Sequence, residues 1–340
     1  MSAIIKSALV VEDGDLIFNY VNYYVDDGFL VIIGDKRLLL TDGRYIEHAR
    51  LKASANSYLQ SEVSLEKALN ENGVKRVGLI YKNTSAKLLS RLIEGGFDVY
   101  DAEDEYQNFS SIKTASQLQK IKKACEITET AFYKTLPFIK TGVSELEVSA
   151  VLEYNFKMLG GQVGFETIVA FSSGGSVPHY KTSDKKLKPN TPILMDFGCS
   201  YQGYLSDMTR TFYYGTPSDK FLSVYGSVKT AWQKAYSEIK SGMTCMQADS
   251  IARSYLNGCG LDKFFTHSLG HGIGVKIHEY PTLSPKSSTV LRDGMVFSIE
   301  PGVYLENEFG VRIEDTVVLQ NGRCVSLMTS DKEPIILSVK

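Results

Sequence analysis

The chain of 340 residues holds one tryptophan, nine prolines, five cysteines and five histidines. The cysteines (Cys125, Cys199, Cys245, Cys259 and Cys324) are odd in number, scattered and without C-x-x-C spacing, a usage that predicts a reducing, cytoplasmic setting. An excess of one charge is also missing. The 37 basic and 39 acidic residues leave a net charge of -2 with no long run of either sign, which excludes an electrostatic footprint for nucleic acid or an anionic bilayer. No stretch reaches the roughly 18 apolar residues of a membrane-spanning helix. The N-terminal MSAIIKSALVVEDGDLIFNY is interrupted by Glu12, Asp13 and Asp15 before a leader's apolar region could form. Low-complexity segments and an evident internal repeat are lacking as well. With 43% apolar and 22% charged residues, disorder and coiled coil are excluded, and the length predicts two domains with sizeable cores.

What is present is concentrated. Four of the five histidines, His179, His267, His271 and His278, fall within one hundred residues, and only His48 lies elsewhere, on what reads as a solvated helix face.

Residues 1–110 read as a small α/β domain. GFLVIIGDKRLLLT predicts a hairpin turning at Gly34, Leu65 to Asn70 a helix, VKRVGLIY a buried strand, SAKLLSRLIE a helix closed by Gly95 and Gly96, and FDVYDA a last strand. Residues 111–340 read as α+β. A long amphipathic helix spans Thr114 to Ile139, and a second runs from Ser144 to Leu159, started by Thr141-Gly142-Val143-Ser144 and stopped by Gly160-Gly161. Strands follow at FETIVAF, PILMDFG, TRTFYY, MVFSIEPGVY and VRIEDTVVL, with one helical section over Asp219 to Leu256. Paired hairpins leave room for an old duplication.

The segment PILMDFGCSYQGYLSDMTRTF turns at Gln202-Gly203, so Asp196 faces Thr209, Asp207 faces Gly198, and both carboxylates share one sheet face. Their neighbours Met195, Phe197, Leu205 and Met208 are apolar, and a carboxylate buried there without a partner is costly. In VFSIEPGVYLENEFGVRIEDTVVL, Glu300 and Glu314 are symmetric about Asn307 and, with a loop of odd length centred there, stand opposite each other on one face. Four inward carboxylates repel unless cations lie between them, and two divalent ions balance the charge. Between the hairpins, FFTHSLGHGIGVKIHEYP presents His271 between Gly270 and Gly272, the best nitrogen ligand.

These residues, in the contexts MDFG, SDMTR, GHGIG, SIEPG and RIEDT, resemble the pita-bread metallopeptidases, which include methionine aminopeptidase, aminopeptidase P and prolidase. TDGRYIEHA in the first domain is similar to the creatinase-type N-terminal domain of the proline-specific members. The resemblance implies a C-terminal pita-bread fold behind a smaller α/β domain, two divalent metal ions (manganese or cobalt, with zinc or iron as other occupants), and a homodimer. It implies that Asp196 chelates one ion, that Asp207 and Glu314 bridge both, and that His271 and Glu300 complete the other. A shared hydroxide then serves as nucleophile, since two-metal sites lower the pKa of bound water toward about 7, and Glu300 shuttles the proton. His179, His267 and His278 match imidazoles that hold substrate carbonyls and shape the pocket for a proline at the second position. Arg312 matches an arginine of the proline-specific members, either touching substrate or bracing the ligand carboxylates. The implied activity is cleavage of a peptide before that proline. Several prolidases carry a basic residue just after HE-x-P where this chain has Thr282, which favours aminopeptidase P over prolidase, with methionine aminopeptidase behind both. Members that have dropped catalysis lose ligands; here all five are kept. Trp232 reads as packing, and Tyr180 as either packing or pocket wall.

Overall fold

Two hydrophobic cores, one on each face of a six-stranded sheet, account for the first 110 residues. The computed structural model describes residues 6–340, and residues 1–5, the start of the stretch inspected above for a leader, lie outside the described residues. The chain divides into units at Ser110 and Ser111. In the first unit, strands β1 (Lys6–Val11), β2 (Gly28–Ile33), β3 (Lys36–Thr41), β4 (Asn56–Leu59), β5 (Val74–Leu79) and β6 (Asp98–Asp101) lie in the order β4-β3-β2-β1-β5-β6. The β2/β3 hairpin turns at Gly34, as the sequence predicts. Strand alternation sends Val31 and Leu40 to one core with Leu69, Leu88 and Leu92, and Leu30 and Leu39 to the other with Leu16 and Ile17. Helices α1 (Gly14–Val21), α2 (Ile46–Lys52), α3 (Leu65–Glu71), α4 (Ala86–Glu94) and α5 (Glu103–Ser111) accompany the sheet. His48 is exposed on α2.

The second unit is built from two helix pairs and curved antiparallel ribbons. Helices α6 (Ala115–Thr135) and α7 (Glu145–Met158) form one pair, and α8 (Asp219–Glu238) and α9 (Cys245–Gly258) the other. The single helical section expected over Asp219 to Leu256 is therefore two helices. Gly242, in a left-handed conformation that ordinary residues disfavour, turns the chain between them. The two connections are copies of one design. Ser144 caps α7 and Thr244 caps α9, each with a reciprocal capping box to Glu147 and Gln247. The N–H groups of Gly142 and Gly242 donate to the carbonyls of Leu187 and Leu291, and those of Glu145 and Cys245 to Lys185 and Thr289. The halves are thus related in backbone although no sequence repeat is visible.

Against α6 and α7 lie β7 (Gln162–Val163), β8 (Ile168–Phe171), β9 (Thr191–Phe197), β10 (Cys199–Tyr201), β11 (Tyr204–Leu205) and β12 (Met208–Tyr214); Phe132 stacks on Phe197 at 5.4 Å. The turn falls at Gln202-Gly203, with Tyr201 opposite Tyr204 and Asp196 opposite Thr209, as expected. Against α8 and α9 lie β13 (Gly270–Gly272), β14 (Glu279–Leu283), β15 (Val296–Ile299), β16 (Gly302–Leu305), β17 (Phe309–Arg312), β18 (Asp315–Gln320) and β19 (Arg323–Ser326), while β20 (Ile336–Leu337) pairs with β12. Val228, Ala231, Ala248, Ala252, Phe297, Val303 and Val317 share the core there.

The strands expected at MVFSIEPGVY and VRIEDTVVL are each broken, into β15/β16 at Glu300-Pro301 and into β17/β18 at Ile313-Glu314. Register survives the break: Gly302 pairs with Arg312 on one side and Ile299 with Asp315 on the other. The physical reason is that Pro301 has no N–H to donate, while the N–H groups of Glu300 and Glu314 turn to other chain segments, the carbonyls of Leu269 and Thr209. The hairpin thereby bends from one ribbon to another with both glutamates at the bend.

The loop carrying His179 is anchored by Glu145, at the start of α7. Its carboxylate, fully buried, accepts from the N–H groups of Phe171 (2.8 Å) and Ser183 (3.0 Å), the Ser183 hydroxyl (2.6 Å) and the Tyr180 hydroxyl (3.1 Å). Tyr180 therefore serves packing. Glu145→Ala strands four donors and is expected to cost about 2–4 kcal/mol, read as a lower denaturation midpoint, with metal content unchanged.

Candidate metal centre

The four acids singled out from the sequence reach their places through backbone geometry. Asp196 is next to last in β9, Asp207 precedes β12, and Glu300 and Glu314 occupy the two strand breaks. His271 sits in β13, where Gly270 passes so close to β15 that a Cβ there would lie 1.9 Å from the Ser298 carbonyl oxygen. This close approach lets the His271 N–H reach the Ser298 hydroxyl at 3.0 Å, and the same hydroxyl donates to Glu300 Oε1 at 3.0 Å.

One ligand atom each from Asp207, His271 and Glu314 lies within 4.8 Å of the others. His271 Nε2 is 3.5 Å from Asp207 Oδ2 and 3.3 Å from Glu300 Oε1. Its Nδ1 lies 3.2 Å from the Gly272 carbonyl, which fixes the proton on Nδ1 and leaves the Nε2 lone pair facing the carboxylates. Asp196 joins through Arg312, whose Nη2 donates to Oδ2 at 2.6 Å. The structure thus brings Asp207, His271 and Glu314 together, with Glu300 against His271 and Asp196 reached through Arg312.

Asp196 Oδ1, Asp207 Oδ1 and Glu314 Oε1 are buried and without a hydrogen-bond partner among the described residues. Orphaned oxygens converging beside an imidazole fit a hard or borderline divalent ion, which such oxygens and one nitrogen can hold. Burial first, then the charges of Asp196 and Glu300, pushes the Asp207 carboxyl well above the usual range. Burial followed by Asp207, Glu300 and Asp196 does the same to Glu314. Glu300 is raised by burial, with His267 and Arg312 pulling the other way. Desolvation lowers His271 and His267, so both imidazoles are neutral near pH 7.

Arg312 is almost wholly buried, which opposes its charge, but the carboxylates of Asp196, Glu314 and Glu300 outweigh that burial and keep it charged. Its Nε donates to the Thr209 hydroxyl at 2.9 Å, which donates on to Glu314 Oε2 at 2.5 Å, and its Nη1 donates to the Tyr304 hydroxyl at 2.7 Å. Of the two readings open from sequence, these contacts are those of a brace. Tyr304, which sequence reasoning missed although it closes the EPGVY motif, links Arg312 to His267 Nε2 at 2.8 Å. Asp249 and Arg253 on α9 were also missed: Arg253 donates to the carbonyls of Phe265 and His267, and Asp249 accepts the Leu269 N–H. His278 stands edge-on to His271 with ring centroids 4.4 Å apart. His179 is exposed, within electrostatic reach of His267. Trp232 is buried and stacked on Tyr236 at 5.0 Å, away from this chemistry.

A buried cluster of acids around one oriented imidazole defines a divalent-metal hydrolase centre. The profile of metallopeptidase family M24 matches residues 119–321. A peptidase of Bacillus subtilis (strain 168) is 33% identical over 317 residues, 91% of this chain and 90% of its own. The Xaa-Pro dipeptidase of Pyrococcus horikoshii is 39% identical over 68% of this chain and 67% of its own. The crystal structure of the X-Pro aminopeptidase of Thermotoga maritima MSB8 superimposes with a TM-score of 0.92 at 33% identity, covering 98% of this chain and 96% of that one. The chain belongs to metallopeptidase family M24 and is a metallo-exopeptidase with the pita-bread fold, a family membership that implies bound divalent metal.

Carboxyls whose folded-state pKa is raised stabilise the metal-free fold below their unfolded values and lose that contribution as pH rises through the folded values. Ions displace those protons. Metal-loaded and metal-free protein are therefore expected to diverge in melting temperature as pH rises from about 5 to about 8, read by calorimetry. Asp207→Asn is expected to weaken metal retention on dialysis by more than the roughly 10- to 100-fold typical of losing an outer partner.

Proposed function

We propose that the protein is a Xaa-Pro peptidase of the aminopeptidase P type, which releases the first residue of a peptide whose second residue is proline. The observation that carries this reading is the set of orphaned, buried oxygens of Asp196, Asp207 and Glu314 beside His271, with His278 packed on His271, His267 3.8 Å from Glu300 and His179 within electrostatic reach of His267.

Asp196, Asp207, His271, Glu300 and Glu314 hold the metal, with manganese or cobalt the expected activators. When bound, two divalent ions supply Lewis acidity and acidify water near pH 7. Glu300 takes a proton on its carboxylate and passes it to the departing amine. The Ser298 hydroxyl holds that carboxylate in place. His267 has both nitrogens engaged, Nδ1 with the Ser268 carbonyl at 2.8 Å and Nε2 with the Tyr304 hydroxyl, so it shapes the pocket wall. His179 and His278 are exposed and able to meet the substrate carbonyls. Arg312 positions Asp196 and, through Thr209, Glu314.

Thr282 pairs with His271 across β13 and β14 and is exposed. Its hydroxyl brings no charge to a dipeptide's free carboxylate, whereas a charge-assisted contact there would favour dipeptides. A second reading, prolidase, is favoured by the 39% identity to the dipeptidase of Pyrococcus horikoshii.

The metal-free protein, reconstituted with manganese, cobalt or zinc, is expected to cleave Xaa-Pro-Xaa peptides in preference to Xaa-Pro dipeptides. Cleavage of Met-Ala-Xaa alone would overturn the proline-specific reading, and preference for dipeptides would establish prolidase. Thr282→Arg is expected to shift the ratio of kcat/KM toward dipeptides by about tenfold, the size of one added charged contact.

A further inference from the structure

One ion pair of the second unit is buried on both sides and used by nothing described so far. Lys113, just before α6, donates from Nζ to Glu279 Oε2 at 2.8 Å, with side chains 3% and 5% exposed. The two residues are 166 positions apart. Each is tied to the site's own framework. The Lys113 N–H donates to the Gly294 carbonyl beside the start of β15, and Glu279 opens β14.

The Glu279 carboxylate also closes a turn. Its Oε1 accepts the N–H groups of Val275 (2.7 Å) and Lys276 (2.9 Å). A Cβ at Gly274 would stand 2.2 Å from Oε2, so the carboxylate is seated where only glycine leaves room. The Gly274 carbonyl, in turn, accepts the Leu205 N–H from the aspartate hairpin. The turn from 274 to 279 is therefore fixed at its base by the ion pair, and it carries His278, whose ring packs against His271.

We infer that Lys113 and Glu279 are positioning residues that hold the 274–279 turn so that His278 is presented to the peptide substrate. The inference rests on the peptidase reading above, because it assigns His278 a substrate contact. Charge-assisted bonds from one carboxylate to a lysine and two backbone N–H groups leave the turn little freedom. Misplacement by about 1 Å of a group that orients substrate costs on the order of 100-fold in rate. A buried pair whose only task was stability would be replaceable by apolar residues without such loss.

The test is a double-mutant cycle with His278→Ala on the metal-loaded enzyme, alongside hydrogen exchange of the turn. Lys113→Met is expected to lower kcat/KM for Xaa-Pro-Xaa by at least about tenfold, with Lys113→Arg restoring it to within about threefold. In the His278→Ala background the same change is expected to cost less than about twofold, since coupled residues are not additive. Lys113→Met with Glu279→Gln, which leaves no unpaired charge, keeps the test readable if the single variant fails to fold. Faster exchange of the Val275 and Lys276 amides with metal content unchanged supports the inference. Equal losses in both backgrounds, unaltered exchange, or loss of metal would each overturn it. If the parent enzyme cleaves no proline peptide, the peptidase reading fails, while the exchange experiment still decides whether the pair holds the turn.

Discussion

The arrangement depends on keeping like charges together where they are least stable. Asp207 and Glu314 are nearly inaccessible, and Asp196 and Glu300 are close enough to raise their pKa values. Two unit charges at about 4 Å cost about 4 kcal/mol even at an effective dielectric constant near 20, so four carboxylates in one buried cluster cannot all be ionised without added cations. One cation is built in. Arg312 pairs with one oxygen of Asp196 and, through Thr209, with one of Glu314, leaving the opposite oxygen of each without a protein partner among the described residues. A single arginine thus both lessens the repulsion and sorts the carboxylate oxygens into those held by protein and those open to metal.

That sorting needs backbone as well as side chains. An uninterrupted ladder would place Glu300 and Glu314 opposite each other on a flat ribbon, with no reason for their N–H groups to leave the pair. Pro301 removes one donor, and the carbonyls of Leu269 and Thr209 capture the N–H groups of the glutamates. The glutamate hairpin is thereby joined through β13 to the histidine and through β12 to the aspartates. The break unites ligands from distant stretches of chain into one centre.

Much of this was legible in the sequence because it is periodic or symmetric. Hairpin register follows from counting outward from Gln202-Gly203 and from Asn307, and the structure keeps both registers. The strand breaks escaped because they conserve register, so a period-two reading passes through them unchanged. The division between α8 and α9 escaped although Ser241-Gly242 resembles Thr141-Gly142, which reads as a boundary. Tyr304, Asp249, Arg253, Lys113 and Glu279 escaped for a different reason. Each acts through contacts with residues distant in sequence or on another element, and a polar residue carries no sign in the sequence of where its partners lie.

Those contacts share a logic that spans both related halves. Every histidine proposed to meet substrate or wall its pocket lies on a segment whose backbone N–H groups are gathered by a buried carboxylate from a regular element. Glu145 on α7 anchors the loop with His179, Asp249 on α9 binds Leu269 beside the His267 segment, and Glu279 on β14 closes the turn with His278. An imidazole on a free loop would sample many positions, whereas one on a loop held at its base is placed to within the tolerance that catalysis demands. Glu145 needs no fixed cation because it has four donors, whereas Asp249 and Glu279 are each matched by Arg253 and Lys113. Acids therefore serve two opposed purposes in one unit: those with hydrogen bonds complete hold the histidine segments, and those with an oxygen unpartnered among the described residues suit the divalent metal that the family implies.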